Sequence, residues 1–141
     1  MTDVAARCGT LAPNPEDTSA VRSHQHHLLC VDDEKVLVLL TAEILATQGY
    51  RVTALCNPLE AVEVCHRENI ELAVLDYQMP EMTGTRLAAR LKNTRSKVKV
   101  VLFTGELQVP ASELSPVDAV VSKSDGVDVL VATVNRLFAP R

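Results

Sequence analysis

Excess positive charge, long apolar runs and paired cysteines are all missing from this 141-residue sequence. Lys and Arg number 14 against 18 Asp and Glu, for a formal charge of −4 and a pI near 5.5. Nucleic-acid binding wants a basic face, so that class is disfavoured. No uncharged stretch approaches the ~18 apolar residues of a membrane span. The N-terminal residues lack an apolar signal core. A cytoplasmic protein that binds neither membrane nor nucleic acid is expected. The four cysteines, Cys8, Cys30, Cys56 and Cys65, include no Cys-x-x-Cys. Three of them fall in apolar segments, and they read as buried reduced thiols, not as a disulfide framework or a zinc site.

What is present is ordinary for a globular chain: 47% apolar and 23% charged residues, enough for one domain that needs no staples. Residues 1–26 stand apart. They carry Pro13, Pro15 and several small polar residues without an apolar period. They read as a loosely ordered tail whose one candidate element is a short helix around Val4–Arg7. The tail closes on His24, His26 and His27. Three such histidines could hold a transition metal, but no Cys, Asp or Glu stands beside them. A polar lead-in to the first strand is the plainer reading. The domain proper is expected over residues 27–141.

From residue 28 a rhythm begins. Leu28-Leu29-Cys30-Val31 is apolar without alternation, as in a strand buried on both faces, and stops at Asp32-Asp33. Glu34 to Gln48 reads as a helix with Leu37, Leu40, Ile44 and Leu45 on its inner stripe, closed by Gly49. Val52–Cys56 is a second strand, and Asn57-Pro58 opens a helix to about Asn69. Leu72–Leu75 is a third strand, followed by a helix carrying Leu87, Ala88 and Leu91. Val98–Phe103 and Ala119–Val121 are the fourth and fifth strands, and Ser124 caps a last helix. Alternating strands and helices imply an α/β fold, a parallel sheet covered on both sides by right-handed crossovers. Five units suit the flavodoxin-like (βα)5 doubly wound sheet of strand order 2-1-3-4-5. A closed barrel would need about 250 residues.

In such sheets ligands bind at the carboxyl ends of the strands, where the order reverses. Strand 1 ends at Asp32-Asp33, strand 3 at Asp76, strand 4 at Thr104 and strand 5 at Lys123. Three clustered carboxylates repel one another, and a divalent cation relieves this. Oxygen ligands without His or Cys indicate a hard ion, Mg²⁺ or Mn²⁺. Asp76 could then act as a nucleophile toward a phosphoryl donor. Lys123 would neutralise one phosphoryl oxygen and Thr104 would donate a hydrogen bond to another.

Together, Val31-Asp32-Asp33-Glu34, Leu75-Asp76-Tyr77-Gln78-Met79-Pro80-Glu81-Met82-Thr83-Gly84, Phe103-Thr104-Gly105 and Ser122-Lys123 resemble the receiver domain of two-component response regulators. The resemblance covers about residues 27–139. It implies that Asp76 accepts a phosphoryl group from a histidine kinase or phosphotransfer protein. It implies that Asp32, Asp33 and Asp76, with the backbone carbonyl of Gln78, hold Mg²⁺. It also implies that Thr104 and Lys123 bind the phosphoryl group, and that Gly105 leaves room for it. Output would pass through protein–protein contacts of a stand-alone regulator that is no turnover enzyme. Gln78 and Glu106 would flank the approach of hydrolytic water. The alternative is a receiver fold kept as a phosphorylation-independent docking module.

Three departures from the family pattern bear on output. Ser124 follows the lysine where the family usually has Pro, so a trans bond and a changed loop are expected. Val120 stands where the family often has a switching aromatic. Residues 105–117 contain Pro110 and Pro116, which allow a fourth helix of at most a turn and a half around Pro110–Ser115, or none.

Overall fold

The computed structural model describes residues 4–6, 25–105 and 108–140. Strands β1 (Val4–Ala6), β2 (His27–Val31), β3 (Arg51–Leu55), β4 (Leu72–Leu75), β5 (Lys99–Thr104) and β6 (Ala119–Ser122) form one sheet. Helices α1 (Lys35–Thr47), α2 (Ala61–Arg67), α3 (Gly84–Thr94) and α4 (Val127–Phe138) connect and cover it. All pairings are parallel, in the order β1-β3-β2-β4-β5-β6. Without β1 this is the expected 2-1-3-4-5 arrangement.

The uninterrupted apolar strands follow from burial on both faces. Leu28, Cys30, Val52, Ala54, Val74, Val101 and Phe103 point into one core with Val38, Ala42, Leu45, Leu130 and Val134 of α1 and α4. Their strand neighbours Leu29, Val31, Leu55, Ala73, Leu75, Val100 and Leu102 point into the other. There they meet Val64, Cys65, Leu87, Ala88 and Leu91 of α2 and α3. Alternate residues reach opposite faces, and both faces are covered. No helix of the described residues is long and apolar enough to cross a membrane.

The structure corrects several local expectations. α1 buries Val38, Thr41, Ala42, Leu45 and Ala46, whereas Leu40 is 55% exposed and Leu37 and Ile44 are half-buried. Every position from Val36 to Leu40 is apolar, so the pattern there cannot choose a face; docking on the sheet does. The second helix opens as a 3-10 turn, Pro58–Glu60, with the Asn57 side chain accepting from Leu59 N–H, and ends at Arg67. Ser124 does not cap α4. It lies inside the 3-10 turn Lys123–Asp125, where the Ser122 side chain accepts from Ser124 N–H, and Gly126 at φ 91° precedes α4. Val4–Ala6 is a sixth strand on the β3 edge where a short helix around Val4–Arg7 is expected. The rest of the expected tail, apart from Gln25 and His26, lies outside the described residues. Cys30 and Cys65 are buried free thiols as expected, but Cys56 is disulfide-bonded, and Cys8 lies outside the described residues.

Two departures appear as the sequence implies. Between β5 and β6 the described residues contain one 3-10 turn, Ala111–Glu113, and no α-helix. No described peptide bond is cis, including Lys123–Ser124. Gly84 explains its place at the start of α3. A Cβ there would meet the backbone oxygen of Asp76 at 2.2 Å and Leu102 Cδ2 at 3.0 Å. Gly84→Ala is therefore expected to lower stability by about 1–3 kcal/mol, the range of overpacked cores, read as a lower urea midpoint with an unchanged m-value.

Candidate functional site

Backbone register sets the site. Val31 pairs with both Leu55 and Leu75, and the pairing runs one residue further. Asp32 N–H donates to Leu55 O at 3.2 Å, and Asp76 N–H donates to Val31 O at 3.0 Å. The first residues past β2 and β4 are thus held side by side. On the other flank Thr104 pairs with Ser122, which puts Lys123 at the same rim.

Carboxylate oxygens of Asp32, Asp33 and Asp76 lie within 4.8 Å of one another. Asp32 is buried, Asp76 half-buried and Asp33 exposed. Asp32 is tied on both oxygens: Oδ1 accepts from Glu34 N–H at 2.9 Å, and Oδ2 accepts from Lys123 Nζ at 2.8 Å. Lys123 Nζ also lies 3.5 Å from Asp76 Oδ2. Asp76 accepts hydrogen bonds from the Thr104 hydroxyl, which is fully buried, and from Tyr77 N–H.

The electrostatics are unbalanced. Burial, and then the neighbouring Asp32 charge, push the Asp76 carboxyl above its ordinary range, although Lys123, Thr104 and Tyr77 pull it down. For Lys123 partial burial acts downward, but hydrogen bonding and attraction to Asp32, then Asp76, win and hold the ammonium above its ordinary range. The cleft above these groups has a volume of about 400 Å³ and is lined by Asp33, Glu34, Leu37, Asp76, Gln78, Thr104, Gly105 and Lys123. A Cβ built at Gly105 would meet nothing within 4 Å, so open space adjoins Thr104.

All six sequence-predicted site residues, Asp32, Asp33, Asp76, Gln78, Thr104 and Lys123, sit at this rim. Glu106 lies outside the described residues. Sequence reading misses two contributors. Leu37, one turn beyond Asp33 on α1, forms the apolar wall of the cleft. Glu113 accepts from Tyr77 Oη at 3.0 Å and from Thr85 Oγ1 at 2.8 Å, pinning the 3-10 turn against the loop after Asp76. The four-residue step from Asp33 to Leu37 could have been found from helical periodicity; the Glu113 contact has no local signal. Among the described residues, His26 and His27 do not gather at a metal site. His27 is buried and bonded to Thr53 Oγ1 and Glu68 O, His26 stacks on Phe138, and His24 lies outside the described residues. Among the described residues the three aspartates alone are grouped as metal ligands. A larger cleft of about 790 Å³ opens at the opposite end of the strands, beside His26, Lys97, Lys99 and Phe138. It has one lining carboxylate, Glu71, and no converging set, so we place the chemistry in the smaller one.

Residues 28–135 match the family model of the response regulator receiver domain. The transcriptional regulatory protein GlrR of Escherichia coli (strain K12) is 32% identical over 101 residues, covering 72% of this chain but 21% of that protein. The chain therefore spans well under two thirds of this relative. Sporulation initiation phosphotransferase F of Bacillus subtilis (strain 168) is 30% identical over 84 residues, covering 58% of this chain and 68% of that one. Among solved structures, the response regulator protein TrrA of Thermotoga maritima, in complex with Mg(2+)-BeF, superposes with a TM-score of 0.76 at 28% identity. That match covers 81% of this chain and 100% of TrrA.

The raised Asp76 carboxyl makes a stability prediction. An ionised Asp76 is worse accommodated in the folded chain than in the unfolded one, so it destabilises the fold above the unfolded carboxylate pKa of about 3.9. Below that pH both states are protonated and the effect vanishes. Asp76→Asn is expected to raise Tm by a few degrees at pH 7 in EDTA, and the gain should disappear near pH 3; calorimetry at both pH values checks it.

Proposed function

Because this chain belongs to the response regulator receiver family, whose setting is two-component phosphorelay signalling, we propose that it is a phosphoacceptor switch working through Asp76. Receiver domains are signalling switches, not turnover enzymes, and they interact with histidine kinases or phosphotransfer proteins. The observation that carries the reading is the convergence of Asp76 with Lys123, Thr104 and two further carboxylates on one open rim.

Phosphoryl transfer asks a protein mainly for a placed nucleophile and charge stabilisation. A carboxylate oxygen of Asp76 forms the new O–P bond as the P–N bond of a phosphohistidine breaks. The imidazole leaves with the bonding pair and takes up a proton. Lys123 pairs with one phosphoryl oxygen and Thr104 donates to another. Asp32, Asp33 and Asp76, with the backbone carbonyl of Gln78, would hold Mg²⁺ or Mn²⁺. The fit rests on the donor set: it is all oxygen, and three carboxylates against one lysine leave a charge of −2 for a divalent ion. When bound, the ion supplies Lewis-acid stabilisation of phosphoryl charge.

Output by protein–protein contact is the corresponding reading for the face around β6. Val120 is 48% exposed there, and no aromatic stands on β6 to turn inward. Moving a two-state element from 1:99 to 99:1 takes about 5.5 kcal/mol. Two charge-assisted hydrogen bonds, from Thr104 and Lys123, supply about 3–6 kcal/mol before reorganisation. The conformational response is therefore small.

Intact-protein mass after incubation with Mg²⁺ and acetyl phosphate tests the reading. Wild type is expected to gain one phosphoryl group, and Asp76→Asn or added EDTA to abolish it. No adduct, with acetyl phosphate and with a phosphorylated histidine kinase alike, would leave the phosphorylation-independent docking module. Amide exchange with and without beryllofluoride is expected to change in the Gly105–Val117 connection more than in β5 and β6; large changes across both strands would contradict a small response.

A further inference from the structure

The cleft of about 790 Å³ at the end of the strands opposite the rim holds no set of groups for covalent chemistry, but its charge is one-sided. Arg95, Lys97 and Lys99 line it against one carboxylate, Glu71. The chain as a whole is acidic, at −4, so a cationic cleft runs against its average. Glu71 is itself engaged, since its Oε2 meets His26 Nδ1. Among the described residues none of the three cations is paired with a carboxylate. The Arg95 guanidinium donates to three neutral oxygens, Cys65 O at 3.2 Å, His66 O at 2.9 Å and Asn69 Oδ1 at 2.7 Å. Lys99 Nζ stands 5.9 Å from the centre of the Phe138 ring, and Lys97 is exposed. Elsewhere the rule is pairing: Lys92 with Asp118, Arg67 with Glu63 and Lys123 with Asp32.

The segment that carries these cations joins α3 to β5 and is held at both ends. Arg95 ties it to the residues that end α2. Val98 N–H donates to Arg95 O at 3.1 Å, and Lys99 N–H donates to Glu71 O at 3.0 Å. Asn69, at φ 56°, is the one non-glycine residue in the left-handed region among the described residues, and it turns the chain out of α2. Its Oδ1 accepts from Arg95, which leaves its amide NH2 as a donor at the cleft. Ser96 and Lys97 also line the cleft. Among the described residues the Ser96 hydroxyl and the backbone N–H groups of both have no protein acceptor. Donors placed in advance lower the ordering cost of binding.

We propose that this cleft is a binding site for a small anion carrying two linked phosphoryl groups. Lysine ammonium groups bind phosphate as point charges, and hydroxyl and backbone donors complete its oxygen shell. The volume lies within the roughly 300–1,000 Å³ of small-molecule sites, more than a single phosphate ion fills. Leu137 and Phe138 of α4 give the cleft an apolar side for an organic portion. A nucleoside diphosphate and inorganic diphosphate share this chemistry. The site is independent of the aspartate rim, whose clustered carboxylates repel anions when no cation is present.

The test uses the full chain, isotope-labelled, in EDTA, with amide NMR shifts followed during titration with ADP, inorganic diphosphate or adenosine. Saturable shifts are expected at Asn69, Ser96, Lys97 and Lys99 with both phosphate probes, and none there with adenosine. Tighter binding of ADP assigns the nucleotide source; equal affinity assigns the inorganic one. Lys97→Gln combined with Lys99→Gln should weaken binding about tenfold or more, and a severalfold rise in salt should weaken it as well. Arg90→Gln, which removes an exposed charge outside the cleft, and Asp76→Asn should both leave the affinity unchanged. No saturation by either phosphate probe below about 1 mM, shifts that centre on Thr104 and Lys123, or a double lysine variant that binds as wild type does would each overturn the proposal.

Discussion

Repulsion among carboxylates at the end of a parallel sheet is the constraint around which this molecule is arranged. Asp32, Asp33 and Asp76 are brought together by backbone pairing that none of their side chains controls. The fold tolerates them because Lys123, arriving from the far flank of the sheet, donates to Asp32 at 2.8 Å and faces Asp76 at 3.5 Å. The compensation is partial. Asp76 remains less easily ionised than an ordinary aspartate, and negative charge is left over. An incompletely neutralised rim of this kind has the oxygen donors and the residual negative charge that suit a divalent cation.

The scaffold that holds this rim is stiff where the site needs it and sparse elsewhere. Every strand that delivers a site residue from the middle of the sheet is buried on both faces, and Gly84 lets α3 pack directly against the Asp76 backbone. The connection from β5 to β6 is different. It holds a single 3-10 turn, pinned by Glu113 to Tyr77 and Thr85. A carboxylate that accepts from the residue after Asp76 ties this turn to the site. The link is polar and local, and it stands on the same flank as the exposed Val120.

Much of this is legible in the sequence. Apolar runs such as Leu72–Leu75 announce buried parallel strands, because hydrophobic burial leaves no polar face to alternate with. The polar residue that ends each run announces the rim, because the carboxyl ends of parallel strands all face one way. Elsewhere local pattern was insufficient. In α1 the residues from Val36 to Leu40 are all apolar, so Leu40 is as good a core candidate as Val38, and only docking against the sheet exposes it. Ser124 has the chemistry of a cap, but the turn after β6 is closed by Ser122 instead.

The sequence by itself determined the order of strands and helices from residue 27 onward and the rim positions of Asp32, Asp33, Asp76, Thr104 and Lys123, since these depend on periodicity and on strand direction; Gln78 followed only from the family resemblance. It also limited the family's fourth helix to at most a turn and a half around Pro110–Ser115, or none, since Pro110 and Pro116 cannot sit inside a helix. Only the tertiary structure decided what depends on long-range register. That includes the pairing of Val4–Ala6 with the β3 edge, the disulfide at Cys56, the reach of Glu113 to Tyr77, and the approach of Lys123 to Asp32 across the rim. These contacts join segments far apart along the chain, and no period or neighbour in the sequence carries the position of a distant partner.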